Sequence, residues 1–261
     1  MPEVTTRYEP GVPCWVDLMV PDQQAALDFY RDLFGWQGEI GPEVNGGYSV
    51  CTLHGKPVAG IMAAMSPDGG PTPPPAWTTY LASDDVESGA QAVMDNGGTV
   101  MVPGMDVMDF GRMAVVADPA GAVFGLWQAK EFIGSQIVNE HGAVVWSELN
   151  TSDIEGAGSF YRHLGIHTST MEGAPGYYAL NAAGRAVGGM QGLENSPSGT
   201  PPHWITYFAI DDTDSTVDAL IRADGSVLVP PFDMMAGRMA VVQDPQGATF
   251  ALIKPVPPGS A

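Results

Sequence analysis

Residues 111–127 read GRMAVVADPAGAVFGLW, and residues 237–253 read GRMAVVQDPQGATFALI. No other feature constrains the fold as strongly: the chain writes one strand–turn–strand passage twice. The duplication reaches far beyond this passage. Trp15-Val16-Asp17-Leu18 answers Trp146-Ser147-Glu148-Leu149, and ALDFYRDLFGW (26–36) answers GAGSFYRHLGI (156–166). PVAGIM (57–62) answers RAVGGM (185–190), and WTTYLASDDV (77–86) answers WITYFAIDDT (204–213). The order of elements is kept, and the offset shortens only slightly, as loop deletions would produce. A period of roughly 130 residues is too long for a solenoid repeat and suits a duplicated domain. The expected organisation is a first domain over 1–128, a linker over 129–141 (AKEFIGSQIVNEH) and a second domain over 142–261.

Each half is itself divided by a Pro/Gly-rich break, SPDGGPTPPP (66–75) and NSPSGTPP (195–202). Residues 13–20 read as a strand. Asp22 is placed to cap a helix over 23–34, with Leu27, Tyr30, Leu33 and Phe34 on one face and Gly35 ending it. Strands are expected around 47–53 and 57–64. After the break come a strand over 77–82, a helix over 86–95, and strands near 99–102, 112–117 and 122–128. The pattern is β-α-β-β-β, twice per half, which is an α+β class. The Asp-Pro-x-Gly at 118–121 and 244–247 is a turn signature, since Pro fixes φ and Gly permits the left-handed backbone.

Composition narrows the partners. Ten Lys+Arg against thirty Asp+Glu leave a formal charge of −20, which repels nucleic acid and anionic lipid. Hydrophobic residues at 44% permit a full core, so disorder is excluded. Two cysteines, Cys14 and Cys51, make neither a disulfide framework nor a thiolate cluster. A cytoplasmic location is expected, because no leader or membrane-length apolar run is seen.

The FYRDLFGW and FYRHLGI helix ends, the DPAG and DPQG turns and the repeated Gly-Arg-Met-Ala-Val-Val strand together resemble the vicinal oxygen chelate superfamily. That superfamily includes glyoxalase I, extradiol dioxygenases and bleomycin-resistance proteins. The likeness extends especially to tandem two-domain actinobacterial members, some of which accompany aromatic-polyketide pathways. It implies that the paired βαβββ units of each domain form a half-barrel around a cleft. In metal-using relatives, four strand positions supply His, Gln or Glu to a divalent ion. Carried onto this chain, they fall at Trp15 and Trp146, about Gly60 and Gly189, Thr78 and Ile205, and near Gly125 and Ala251. Indole, glycine and alanine are not donors to such an ion. Neither a metal nor another cofactor is therefore expected.

Strand alternation gives the content of the clefts instead. Asp17, Met62, Tyr80 and Trp127 share a face with Trp15 and Thr78; Glu148, His203 and Tyr207 share one with Trp146. Asp17 and Glu148 are candidate proton carriers, since a carboxyl against an indole loses water and its pKa rises. Tyr80, Tyr207 and His203 are candidates for polarising a substrate oxygen. Trp15, Trp77, Trp127 and Trp146 offer flat faces to an aromatic ligand, and Gly60 and Gly125 leave room for it. Met62, Thr78, Met113 and His54 complete the expected lining. Core packing explains the tryptophans as well, and a turn explains His54 as well. Arg112 and Arg238 read either as partners of the two cleft acids or as strand-end salt bridges.

The expected function is a metal-independent, lyase-type enzyme of secondary metabolism. It would act on a hydrophobic, aromatic, polyketide-like molecule by acid–base dehydration and cyclisation. The alternatives are a drug- or metabolite-binding resistance protein without turnover, and a metal-dependent glyoxalase-like detoxification enzyme. The chain is expected to be a monomer or a homodimer.

Overall fold

The computed structural model describes residues 3–65, 72–197 and 199–256, so the two Pro/Gly-rich breaks lie partly outside the described residues. The first half runs β1 (Pro13–Val20), α1 (Gln23–Phe34), β2 (Ser49–Leu53), β3 (Lys56–Ala63), β4 (Ala76–Ala82), α2 (Val86–Asp95), β5 (Thr99–Val107), β6 (Gly111–Ala117) and β7 (Val123–Ala129). The second runs β8 (Val144–Thr151), α3 (Ile154–Arg162), β9 (His167–Thr170), β10 (Tyr177–Ala182), β11 (Arg185–Gly192), β12 (His203–Ala209), α4 (Thr213–Arg222), β13 (Ser226–Met234), β14 (Gly237–Gln243) and β15 (Thr249–Pro255). The four α-helices of the described residues each start on an Asp (Asp22, Asp85, Asp153, Asp212) whose carboxylate accepts first-turn backbone N–H groups. No described helix is long and apolar enough to cross a membrane.

Each half is one mixed sheet, ordered β2-β3-β1-β4-β7-β6-β5 and β13-β14-β15-β12-β8-β11-β10-β9. The leading strands of the two units lie antiparallel at the centre, β1 on β4 and β8 on β12, and each pairs in parallel with the last strand of its own unit. One expected strand is missing. After α1, the counterpart of β9 shrinks to a single bridge, Gln37 to Thr52. The sequence there is Gly38-Glu39-Ile40-Gly41-Pro42, poor in strand formers, whereas β9 reads His-Thr-Ser-Thr.

The helical backs of the two sheets face each other, and this explains the duplication. One buried cluster joins Tyr30, Phe34, Trp36 and Trp77 of the first half to Phe208 and Phe250 of the second. Its pseudo-symmetric twin joins Phe124 to Phe160, Tyr161 and Trp204. At each, the Tyr of the repeated Phe-Tyr meets the Asp of the opposite half's Asp-Pro-x-Gly turn. Tyr30 donates to Asp244 Oδ2 at 3.1 Å and accepts from Trp77 Nε1 at 3.2 Å. Tyr161 donates to Asp118 Oδ2 at 3.1 Å and accepts from Trp204 Nε1 at 2.9 Å. The recurring motifs are thus clasps between the halves. Trp77 belongs to a clasp and not to a cleft: on β4 it alternates away from Thr78 and Tyr80 into the core between the halves. The expectation that it lines the ligand site is corrected.

Candidate functional site

The two concave faces point away from the shared core, and each carries its own small cluster: Trp15, Tyr80 and Trp127 in one, Ile205, Tyr207 and Met239 in the other. Their centres hold the same hydrogen-bonded arrangement. In the first half, Trp15 Nε1 donates to the Tyr48 hydroxyl at 2.8 Å, and Tyr48 and Tyr80 both donate to Asp17 Oδ2, at 3.2 and 3.1 Å. In the second, Trp146 Nε1 donates to Tyr177 at 2.9 Å, and Tyr177 and Tyr207 donate to Glu148 Oε2 at 2.9 and 3.0 Å. Sequence reasoning missed Tyr48 and Tyr177. The signal was present, since both stand in the duplicated strand region, in GGYSV and PGYYA.

This arrangement corrects two expectations. Gly60 and Gly189 do not open space for a ligand: a Cβ there would collide with the hydroxyl of Tyr48 or Tyr177. At Gly125 a Cβ would enter the Tyr80 ring. Gly125→Ala is accordingly expected to cost about 1–3 kcal/mol by overpacking, measured as a lower denaturation midpoint. Second, Tyr80 and Tyr207 each direct their single proton at a carboxylate, so they position the acid and do not polarise a substrate oxygen. Burial, and then the adjacent carboxylate, push the phenols of Tyr48, Tyr80, Tyr177 and Tyr207 above the ordinary range, so they stay donors.

Around this shared centre the halves differ. Glu148 Oε1 also accepts from Asn150 at 3.1 Å and Gln191 at 2.9 Å, so both its oxygens carry two donors. The counterparts of Asn150 and Gln191 are Met19 and Met62, which offer Asp17 nothing. Asp17 is 7% exposed, and burial pushes its carboxyl up to about 7 against the pull of the two phenols. Among the described residues its Oδ1 accepts no hydrogen bond, yet it is not one of the fully enclosed unpaired atoms there, which are the hydroxyls of Thr79, Ser147 and Thr206. Asp17 therefore keeps one oxygen without a hydrogen-bond partner among the described residues, at a strand position paired with Gly60 and Thr78.

Of the remaining expected residues, Trp127 and Met113 lie in the first concave cluster, but Trp127 is capped: its Nε1 donates to Phe132 O at 2.9 Å. His203 opens β12 opposite Asn150, with Nδ1 2.9 Å from the Pro201 carbonyl. His54 is corrected. It sits in the β2–β3 turn at φ 53°, with its ring 3.2 Å from Glu140. Arg112 pairs with Glu87 and Asp106, and Arg238 with Asp214 and Asp233, at exposed strand ends.

A divalent ion of the kind the resemblance implies does not fit these residues. Tyrosine rings lie over the glycines at two of its positions, and the indole at another is hydrogen-bonded to a phenol. Among the described residues, no group of three His, Cys, Asp or Glu side chains converges.

A sequence model of the Glyoxalase/Bleomycin resistance protein/Dioxygenase superfamily matches residues 14–126 and again 143–252. The chain belongs to this superfamily. Curated relatives are similar over nearly their whole length. A putative glyoxylase, CFP32, of Mycobacterium tuberculosis is 45% identical over 97% of this chain and 98% of its own. The anthracycline biosynthesis protein DnrV of Streptomyces peucetius is 36% identical over 95% of each. Among solved structures, the Mn(II)-bound glyoxalase from Novosphingobium aromaticivorans superposes with a TM-score of 0.65 at 16% identity, covering 94% of this chain and 82% of that one. The 2,3-dioxygenase LapB from Pseudomonas sp. KL28 gives 0.61 at 16%, covering 95% of each. At such identities the superfamily's structures establish a common fold.

Proposed function

We propose that the chain is a lyase-type enzyme of secondary metabolism that moves protons with Asp17 and needs no metal. The observation that carries this is the free Oδ1 of a buried carboxyl whose pKa lies at about 7, where a group exchanges protons most effectively at neutral pH. Tyr48 and Tyr80 hold the carboxyl in place through its other oxygen. The likeness to an anthracycline biosynthesis protein supports an aromatic, polyketide-like substrate. In the reaction we propose, Asp17 takes a proton from a carbon beside a carbonyl. The electron pair left behind attacks a second carbonyl of the same molecule and closes a ring. The new alkoxide takes the proton from Asp17; Asp17 then removes a neighbouring C–H proton and passes it to the departing hydroxyl, which leaves as water and returns Asp17 to the carboxylate.

The direct test incubates chelator-treated protein with polycyclic phenolic ketones and follows loss of water by mass spectrometry. Turnover is expected without added metal. Retention of bound ligand with no product would support the binding-protein reading. Activity that appears only with added Mn²⁺ or Zn²⁺ would overturn the proposal in favour of a glyoxalase-like one.

A further inference from the structure

Tyr48 holds Asp17 from a place where the sheet gives it little support. Its counterpart Tyr177 lies inside β10, which pairs with β11 at Tyr177 and Gln191 and, from Tyr178 onward, with β9 on its other side. Tyr48 instead precedes β2, whose ladder with β3 begins at Ser49 and Ile61, and the counterpart of β9 is a single bridge. The two residues before it, Gly46 and Gly47, turn through the left-handed region at φ 66° and 72°. Yet Tyr48 has the more exacting task. It supplies one of two hydrogen bonds to Asp17, whereas Tyr177 supplies one of four to Glu148. At 3.2 Å the Tyr48 bond is already long for a hydroxyl donor, so a small displacement breaks it.

What fastens this lead-in is Gln23, the buried first residue of α1. Its Nε2 lies 2.7 Å from the Gly47 carbonyl, 2.8 Å from the Ser49 hydroxyl and 3.0 Å from the Ile61 carbonyl. Gly47 and Ser49 flank Tyr48, and Ile61 follows Gly60, against which the Tyr48 hydroxyl lies. One carboxamide thus ties the chain on both sides of Tyr48 to the strand beneath its hydroxyl. The second half has Ile154 and Tyr178 at the places of Gln23 and Ser49, and both pack against an apolar cluster. A buried amide costs stability unless its hydrogen bonds are met. Here they are met, and they fix a direction that apolar contact does not.

We propose that Gln23 is a positioning residue for Asp17, fixing the lead-in of β2 so that the Tyr48 hydroxyl stays on the carboxyl. It acts through Tyr48, not on the carboxyl itself, and stands in for the strand support that Tyr177 draws from β9 and β10. Its meaning for turnover rests on the acid–base reading of Asp17; the positioning itself does not.

The test follows the Asp17 carboxyl by carbon-13 NMR through a pH titration of the full chain. The titratable side chains that meet Asp17 are Tyr48 and Tyr80, and both stay protonated. Tyr48→Phe removes one of the two bonds that favour the charged carboxyl, so the midpoint should rise, by about one pH unit. Gln23→Met keeps the length of the side chain and deletes its donors; it should raise the midpoint by at least half as much. Gln23→Ile, which copies Ile154, should act alike and serves if the methionine variant does not fold. The double variant Gln23→Met/Tyr48→Phe should titrate like Tyr48→Phe alone, because one acts through the other. Gln24→Met, at the exposed neighbour of Gln23, should leave the midpoint in place. An unmoved midpoint in the folded Gln23 variants overturns the proposal, as does a shift that persists on top of Tyr48→Phe. A wild-type midpoint below about 5 would sink the acid–base reading, and a Gln23→Met rise from that value would still support the positioning role.

Discussion

Asp17→Asn is expected to lower turnover by roughly 10²–10⁴-fold, the range that positioned acid–base groups contribute, while making the folded protein more stable at pH 8. The two effects share a cause. An unfolded chain holds this carboxyl near 3.8, and the fold raises it to about 7. Between those values the folded state keeps a proton that the unfolded state has released. The carboxyl's contribution to stability therefore falls as pH rises from about 4 to about 7, and the penalty is complete above that. Its size is on the order of 4 kcal/mol. Asparagine keeps an oxygen for Tyr48 and Tyr80 and removes the titration. The variant should melt well above the wild type at pH 8 and close to it at pH 4. A chain that gains stability and loses turnover in one substitution is retaining Asp17 for function. Equal melting temperatures at both pH values would show that burial does not strain this carboxyl.

Tyr30→Phe is expected to be the most destabilising conservative change. It deletes one hydroxyl but removes the partner of two buried atoms, Oδ2 of Asp244, whose Oδ1 keeps the Gln246 and Ala248 N–H groups, and the Trp77 indole N–H. Unpaired buried groups cost about 1–3 kcal/mol each, more when charged, so a loss of about 2–5 kcal/mol follows. In a chain of this size that lowers the midpoint by roughly 5–15 °C. Tyr161→Phe should behave alike through Asp118 and Trp204. Because both clasps join the halves, the transition should stay a single one. Two separated transitions in either variant would mean that the halves do not depend on each other's backs.

These clasps also mark how much was legible in the sequence. The repeated Phe-Tyr and Asp-Pro-x-Gly could be read as evidence of common fold, but their meeting across the halves is a contact over 214 residues in one clasp and 43 in the other, which no local pattern encodes. Alternation along β1 placed Trp15 and Asp17 on one face and Val16 and Leu18 on the other, and the structure has them so. The same rule applied to β4 puts Thr78 and Tyr80 on the concave face and Trp77 behind it; only an appeal to its flat ring had moved Trp77 forward. Glycines at 60 and 125 read as empty space because the rings that fill it arrive from other strands, Tyr48 from β2's lead-in and Tyr80 from β4.

The central claim is the ionisation of one side chain, and it can be measured without knowing the substrate. Carbon-13 NMR of protein labelled at aspartate carboxyls, with Asp17→Asn used to assign the resonance, follows that carboxyl directly through a pH titration. The account predicts a midpoint at about 7, with the Asp17 signal still protonated at pH 5. A midpoint below about 5 would contradict it, because a carboxyl ionised like those at the surface would make Asp17 a fixed anion and leave the proposed chemistry without its proton carrier.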